Sequence, residues 1–99
     1  MAFPPSFLAE LAARNPIEEV VGQYVNLRRS GSNLFGLCPF HGEKTASFSV
    51  APDKGIFYCF GCHKGGSVIN FEMEIEGLSY PDAVRALAKR VGMEVPEDA

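Results

Sequence analysis

Four side chains in this sequence have the type and spacing to bind one metal ion. Two residues separate Cys38 from His41, two separate Cys59 from Cys62, and seventeen lie between the pairs. With this spacing, one tight turn presents two ligands, and two such turns can face each other around a tetrahedral ion. Three sulfurs and one imidazole suit Zn²⁺ better than cations that prefer oxygen. The pattern predicts one structural zinc ion with a closed set of four ligands.

Two other interpretations of these residues stay open from spacing alone. One is a set of buried cysteines and a surface histidine without a metal. The other is a redox-active disulfide between Cys59 and Cys62, which leaves Cys38 and His41 without a role. His63 is an alternative fourth ligand, but it directly follows Cys62, and adjacent residues fit poorly on the same ion. We therefore predict His41 as the fourth ligand.

The length and composition fit one globular domain. The chain has 99 residues, of which 46% are hydrophobic and 21% charged. A chain of this size has a marginal core, so an additional stabilising link is expected, and the cysteines are the residues that could provide it. Three cysteines, an odd number, do not suit a disulfide framework. No apolar run approaches the roughly 18 residues of a membrane span, and Pro4 and Pro5 interrupt the region of a signal peptide. We expect a cytoplasmic protein without membrane contact.

The net charge of −3 hides a basic centre. Residues 1–27 carry −2, residues 28–64 carry +3 and residues 65–99 carry −4. The basic segment also holds six of the eleven aromatic residues, namely Phe35, Phe40, Phe48, Phe57, Tyr58 and Phe60. Cations that follow phosphates and aromatic rings that stack on bases are typical of single-stranded nucleic-acid binding. The alternative is that these rings form the core of a small sheet.

The elements that must position these residues are helices on both sides of short strands. A first helix ends at Asn15, because a residue before proline is disfavoured in the α region. Asn15 is also predicted to cap a second helix that has Pro16 at its first position. The core-facing stripe of this helix is Ile17, Val20, Val21 and Tyr24.

Two antiparallel hairpins are predicted next, from strands at 25–29, 34–37, 48–50 and 56–60. In the last strand, alternation sends Tyr58 and Phe60 to one face and Phe57 and Cys59 to the other. Two further helices follow, capped by Ser67 and Ser79 and ending near Gly77 and Gly92.

Three stretches of the chain resemble a known family. They are residues 24–27 (YVNL), residues 36–45 (GLCPFHGEKT) with Ser47-Phe48, and residues 58–62 (YCFGC) with Gly65-Gly66. Over nearly its whole length the chain is similar to the N-terminal zinc-binding domain of bacterial DnaG-type DNA primases. The resemblance implies a small α+β fold, a zinc ribbon with a short antiparallel β-sheet flanked by helices.

The resemblance also implies a domain organisation. Residues 1–99 form a single zinc-binding domain. Its parts are a helical flank (1–24), the zinc ribbon (25–66), a second helical flank (67–95) and the start of a linker (96–99).

By the same resemblance, the parent protein is an enzyme, a DNA-directed RNA polymerase of the nucleotidyltransferase type. It makes RNA primers on single-stranded DNA during replication, and this domain helps to recognise the template. Its expected partners are the TOPRIM-type polymerase domain, in cis or in trans, and a replicative helicase bound by other parts of the parent. This chain has no plausible cluster of catalytic carboxylates and is expected to be non-catalytic. The alternatives are a zinc-ribbon module that binds protein and a thiol redox enzyme.

The resemblance and the charge pattern predict which residues contact the template. Lys44, Ser47 and Phe48 lie in the matched motif. Further candidates, chosen by charge and expected exposure, are Arg28, Lys54, Tyr58 and Lys64. The chain departs from the family pattern at Ala46, where proline is usual, and at His63, where glycine is common.

Overall fold

The computed structural model describes residues 3–40 and 47–96. The helices are α1 (Pro5–Arg14), α2 (Ile17–Gly22), α3 (Val68–Glu76) and α4 (Tyr80–Arg90). The strands are β1 (Arg28–Ser30), β2 (Asn33–Gly36), β3 (Phe48–Ala51), β4 (Ile56–Cys59) and β5 (Gly65–Gly66). The predicted fold class, a short antiparallel sheet flanked by helices, is confirmed. Within the described residues, no helix is both long and apolar enough to cross a membrane.

The sheet has the strand order β1-β2-β3-β4-β5, and every neighbouring pair is antiparallel. Both predicted hairpins are therefore present. The first strand begins at Arg28 rather than at Val25, which is buried in the core ahead of the strand. Strand β5 was not predicted, because two glycines carry no alternating pattern. It forms by pairing Gly65 with Tyr58 on the opposite strand.

One face of the sheet builds the core. Phe48 and Phe57, on neighbouring strands, are buried on this face and stack with ring centroids 5.6 Å apart. Phe71 of α3 covers them, with its centroid 6.2 Å from that of Phe48 and 5.5 Å from that of Phe57. The predicted alternation along β4 is confirmed, since Phe57 and Cys59 are buried while Tyr58 and Phe60 are exposed.

Asn15 does not cap α2, contrary to the prediction. The N-cap position is Pro16, which starts the helix without a side-chain hydrogen bond. Asn15 is instead fully buried, and its Nδ2 donates to the carbonyl oxygens of Leu11 (2.9 Å) and Leu87 (3.3 Å). Its Oδ1 accepts a hydrogen bond from Nη1 of Arg90 at 2.9 Å. A buried amide is costly unless its hydrogen bonds are made, and these bonds join α1 to α4.

Tyr24 also differs from its prediction. The stripe of Ile17, Val20 and Val21 is buried as expected, but α2 ends at Gly22 and Tyr24 lies beyond it, partly exposed. Its ring contacts Phe71 at 5.8 Å, and its hydroxyl donates to Oε2 of Glu76 at 2.6 Å. This hydrogen bond, with burial and the charge of Glu72, raises the pKa of Tyr24 to about 12.

The C-terminal helices begin and end close to the predicted caps. Oγ of Ser79 accepts a hydrogen bond from the backbone N–H of Asp82 at 3.4 Å. At the start of α3, Oδ1 of Asn70 accepts from the backbone N–H of Ser67 at 3.0 Å. Gly77 ends α3 in the left-handed conformation, with φ of 66°. Of the predicted linker, residues 97–99 lie outside the described part of the chain.

We predict that Asn15→Ala lowers the free energy of unfolding by about 2 kcal/mol, because buried carbonyls lose their donor. Urea denaturation followed by circular dichroism measures the loss. Asn26→Ala, which removes an exposed amide, is the control and should stay within about 0.5 kcal/mol of the parent chain. Equal stability of both variants would show that the bonds of Asn15 contribute little.

Candidate metal centre

Three cysteine sulfurs meet at one edge of the core. The Sγ atoms of Cys38, Cys59 and Cys62 all lie within 4.8 Å of one another, and those of Cys38 and Cys62 are 3.8 Å apart. Cys38 follows β2, Cys59 ends β4, and Cys62 lies in the turn that leads to β5. All three are free thiols. The fold thus brings together residues that are distant in sequence.

The surroundings of the sulfurs suit thiolates that bind a cation. Cys38 and Cys59 are buried, and burial raises the pKa of the Cys38 thiol to about 12. Backbone N–H groups point at the cluster, with Phe40 donating to Sγ of Cys38 and Cys62 donating to Sγ of Cys59, both at 3.5 Å. Buried thiolates without a counter-charge are unfavourable. A zinc ion supplies that charge, and thiolate sulfurs are its preferred ligands.

The turn that carries Cys62 is closed by backbone hydrogen bonds. The N–H of Cys59 donates to the carbonyl of Lys64 at 2.8 Å, and the N–H of His63 donates to the carbonyl of Cys59 at 2.8 Å. His63 has φ of 63°, which costs a residue other than glycine on the order of 1 kcal/mol. A glycine at this position would adopt the same conformation without that cost.

The two candidates for the fourth ligand fare differently. His63 is not part of the sulfur cluster. Its imidazole is exposed, and Nδ1 shares a hydrogen bond of 2.9 Å with the hydroxyl of Tyr58. His41 lies outside the described residues, so its position as the fourth ligand stays a prediction.

The three template contacts predicted from the matched motif have different outcomes in the structure. Lys44 lies outside the described residues. Oγ of Ser47 lies 3.7 Å from Sγ of Cys59, beside the sulfur cluster. Phe48 is fully buried against Phe57, so its ring cannot reach a base in this structure and the prediction of a template contact does not hold. Phe48 was predicted from its place in the matched motif, whereas the alternation along β3 places its side chain inside.

Arg28 and Tyr58 lie in a single row across the exposed face of the sheet. Arg28 pairs with Phe35, Phe35 with Ser49, and Ser49 with Tyr58. The row therefore runs across four strands, with a cation at one end and an aromatic ring at the other. We call these four residues the exposed row. The sequence does not distinguish Phe35 from the other aromatic residues, because only the strand register shows that it lies between Arg28 and Ser49.

The other two predicted cations lie outside the exposed row. Lys54 is in the turn between β3 and β4, where its N–H donates to the carbonyl of Ala51 at 3.1 Å. Nζ of Lys64 lies 3.0 Å from Oε1 of Glu74, an exposed ion pair that raises the pKa of Lys64. The structure thus places Arg28 and Tyr58 at the two ends of one row, whereas Lys54 lies in a turn and Lys64 lies beside Gly65, which pairs with Tyr58.

Comparison with known proteins agrees with this geometry. A DNA primase of Enterococcus faecalis is 50% identical over 95 residues, which are 96% of this chain and 15% of that protein. A DNA primase of Pseudomonas aeruginosa is 48% identical over 95 residues, which are 96% of this chain and 14% of that protein. The chain therefore spans only a small part of the length of these relatives.

A solved structure and a family model match nearly the whole chain. The crystal structure of the Aquifex aeolicus primase, with zinc binding and RNA polymerase domains, matches with a TM-score of 0.85 and 42% identity. The match covers 97% of this chain and 23% of that one. The predicted resemblance and the zinc cofactor are confirmed. Since the family model for the CHC2 zinc finger matches residues 3–99, the chain belongs to the CHC2 zinc finger family.

Proposed function

We propose that this chain is the template-recognition domain of a DNA primase, where it binds single-stranded DNA and helps to start RNA primer synthesis. The observation that carries the proposal is the exposed row of Arg28, Phe35, Ser49 and Tyr58 on a sheet whose strand ends meet at the thiol cluster. Its relatives are DNA primases, which supports the same role. Polymerisation belongs to the TOPRIM-type domain of the parent protein, and this chain is non-catalytic.

Zinc has a structural role in the proposal. Its ligands are Cys38, Cys59 and Cys62, with His41 as the fourth. When bound, the ion neutralises the thiolates and holds the end of β2 next to the end of β4. Because a full set of four protein ligands leaves no open position, the ion does not activate water.

The exposed row provides two kinds of interaction with a single strand. The Arg28 guanidinium attracts a phosphate, and the ring of Tyr58 stacks on a base without selecting its identity. Phe60 extends the aromatic surface, since its ring lies 5.0 Å from that of Tyr58. Lys44 and Ser47 remain proposed contacts from the matched motif. Lys54 and Lys64 are the weaker proposed contacts, and they contribute electrostatic attraction at longer range.

The proposal extends to organisation and partners. Residues 25–66 form the zinc ribbon between the helical flanks 1–24 and 67–95, and a linker begins at 96–99. The polymerase domain, in cis or in trans, receives the template from this domain, while a replicative helicase binds other parts of the parent. Such a role places the protein with the chromosome in the cytoplasm.

A module that binds protein is the second candidate. The side chain of Leu37 is half exposed at the end of β2, close to the partly exposed ring of Tyr24. These two side chains form a small exposed apolar surface, and a protein contact of this domain would rest on it. A zinc-loaded chain that binds no single-stranded DNA at low salt would favour this function over template recognition.

We predict that removing zinc unfolds the sheet. Metal binding at structural sites of this kind contributes about 10 to 16 kcal/mol, which is comparable to the stability of a whole domain. A chelator should abolish the cooperative thermal transition seen by circular dichroism, and added zinc should restore it. An unchanged midpoint after the metal has been stripped would contradict a structural role.

Lowering the pH should release the same ion. Protons compete with zinc for the thiolates, and burial raises the pKa of the metal-free Cys38 thiol to about 12, so apo chains take up protons readily. Zinc affinity is therefore expected to fall steadily as the pH falls from 8 to about 5. Competition with a chromophoric chelator measures it, and a pH-independent affinity would exclude thiolate ligands.

For Arg28→Ala we expect weaker binding to single-stranded DNA and a smaller salt dependence, because each phosphate contact adds about 0.7 to the logarithmic slope. Fluorescence anisotropy with a labelled oligothymidylate at several salt concentrations measures both. Arg14→Ala is the matched control, since Arg14 lies on α1 in an ion pair with Glu10. The same titration of Lys44→Ala tests the contact predicted from the motif. Identical slopes for Arg28→Ala and Arg14→Ala would remove Arg28 from the interface.

Replacing the ring of Tyr58 should weaken binding without changing the salt slope. Loss of one stacked base costs about 1 to 3 kcal/mol, so Tyr58→Ala is expected to lower the affinity about tenfold or more. Tyr80→Ala is the control, because Tyr80 lies on α4 and its ring contacts Phe3. If both variants bind as tightly as the parent chain, the aromatic end of the exposed row has no part in binding.

A further inference from the structure

We propose that His63 is a positioning residue that fixes the ring of Tyr58 for stacking on a base of single-stranded nucleic acid. The inference rests on the proposed template-binding function and deepens it. It assigns a role to a residue that belongs neither to the sulfur cluster nor to the exposed row.

The backbone at His63 is the first observation. With φ of 63°, this position is most easily occupied by glycine. A histidine here adds a side chain to a turn that glycine could form alone. That side chain leaves the turn on the exposed side, and its Nδ1 lies 2.9 Å from the hydroxyl of Tyr58. The unfavourable backbone conformation is thus accompanied by a specific bond to the proposed stacking residue.

The ring of Tyr58 is held by three neighbours. His63 binds its hydroxyl. The backbone of Gly65 lies directly against the ring, since a Cβ at that position would come within 2.9 Å of Cδ1 of Tyr58. The ring of Phe60 meets it nearly perpendicularly, with an interplanar angle of 73° and a centroid separation of 5.0 Å. These contacts fix the orientation of the ring.

The fixed ring remains accessible. Tyr58 is 36% exposed and its neighbour Phe60 is 63% exposed, so the two rings form an open aromatic corner on the protein surface. An ordered ring loses less conformational freedom when a ligand binds than a mobile ring does. The ligand with matching chemistry is a nucleobase on a polyanionic strand, because this corner belongs to the segment 28–64, whose net charge is +3.

A double-mutant cycle on the zinc-loaded 99-residue chain tests the inference. The variants are His63→Gly, Tyr58→Phe and the double variant, and the probe is a fluorescein-labelled oligothymidylate at low salt. Glycine is chosen because it adopts the left-handed conformation without strain and keeps the turn. Tyr80→Phe, which removes a hydroxyl from α4, is the matched control. Zinc content, measured for each variant, reports separately on the metal centre.

We expect His63→Gly and Tyr58→Phe each to weaken binding about fivefold, the effect of one hydrogen bond. The double variant should be no weaker than either single variant, because both remove the same bond. Tyr80→Phe should bind like the parent chain.

Two results would overturn the inference while leaving the proposed function intact. One is a parent chain that binds the probe together with single variants that bind equally well. The other is an additive loss, about 25-fold in the double variant, which means that His63 acts independently of Tyr58. Failure of the parent chain to bind the probe, with zinc at one ion per chain, would instead overturn template binding itself.

Discussion

The structure depends on one constraint, the meeting of three cysteine sulfurs, two of them on buried residues, at the ends of strands that are distant in the chain. Cys38 leaves β2, whereas Cys59 and Cys62 come from β4 and the turn after it. Without a cation, burial keeps these thiols protonated, and neutral thiols attract one another only weakly. A bound cation is therefore what makes their close approach favourable. The sulfur cluster also links the ends of β2 and β4, and it anchors the turn that carries His63 and Lys64.

The two faces of the sheet have different roles: the inner face stabilises the fold, and the outer face carries the proposed binding surface. Its inner face is filled by Phe48 and Phe57 under the ring of Phe71, and these contacts require a dry, closely packed interior. Its outer face carries the exposed row, whose members contribute little to the core. Because side chains alternate along each strand, both faces are built from the same short strands. Changes on the outer face can therefore alter binding while the inner face preserves the fold.

Much of the fold and the metal centre could be predicted from the sequence, because they rest on local signals. The spacing of the cysteines indicates two turns around one ion, and Ser79 with Asp82 forms the expected helix cap. The role of Asn15 is not predictable from local sequence, because its partners Leu87 and Arg90 are distant in the chain.

The outer surface was harder to predict for a similar reason. Placing Phe48 inside and Phe35 in the exposed row requires the register between strands, which residue types alone do not determine. Strand β5 has no signal of its own and exists through its pairing with β4.

The strand order has a consequence for how the molecule folds. In the described part of the chain, every strand pairs only with its neighbours in sequence, so the sheet can grow hairpin by hairpin with short loop closures. The bonds of Asn15 to Leu87 and Arg90, by contrast, span 72 and 75 positions. Contacts of such long range close much larger loops than the pairing of neighbouring strands does. Joining the two helical flanks therefore costs more conformational entropy than forming any one hairpin of the described sheet.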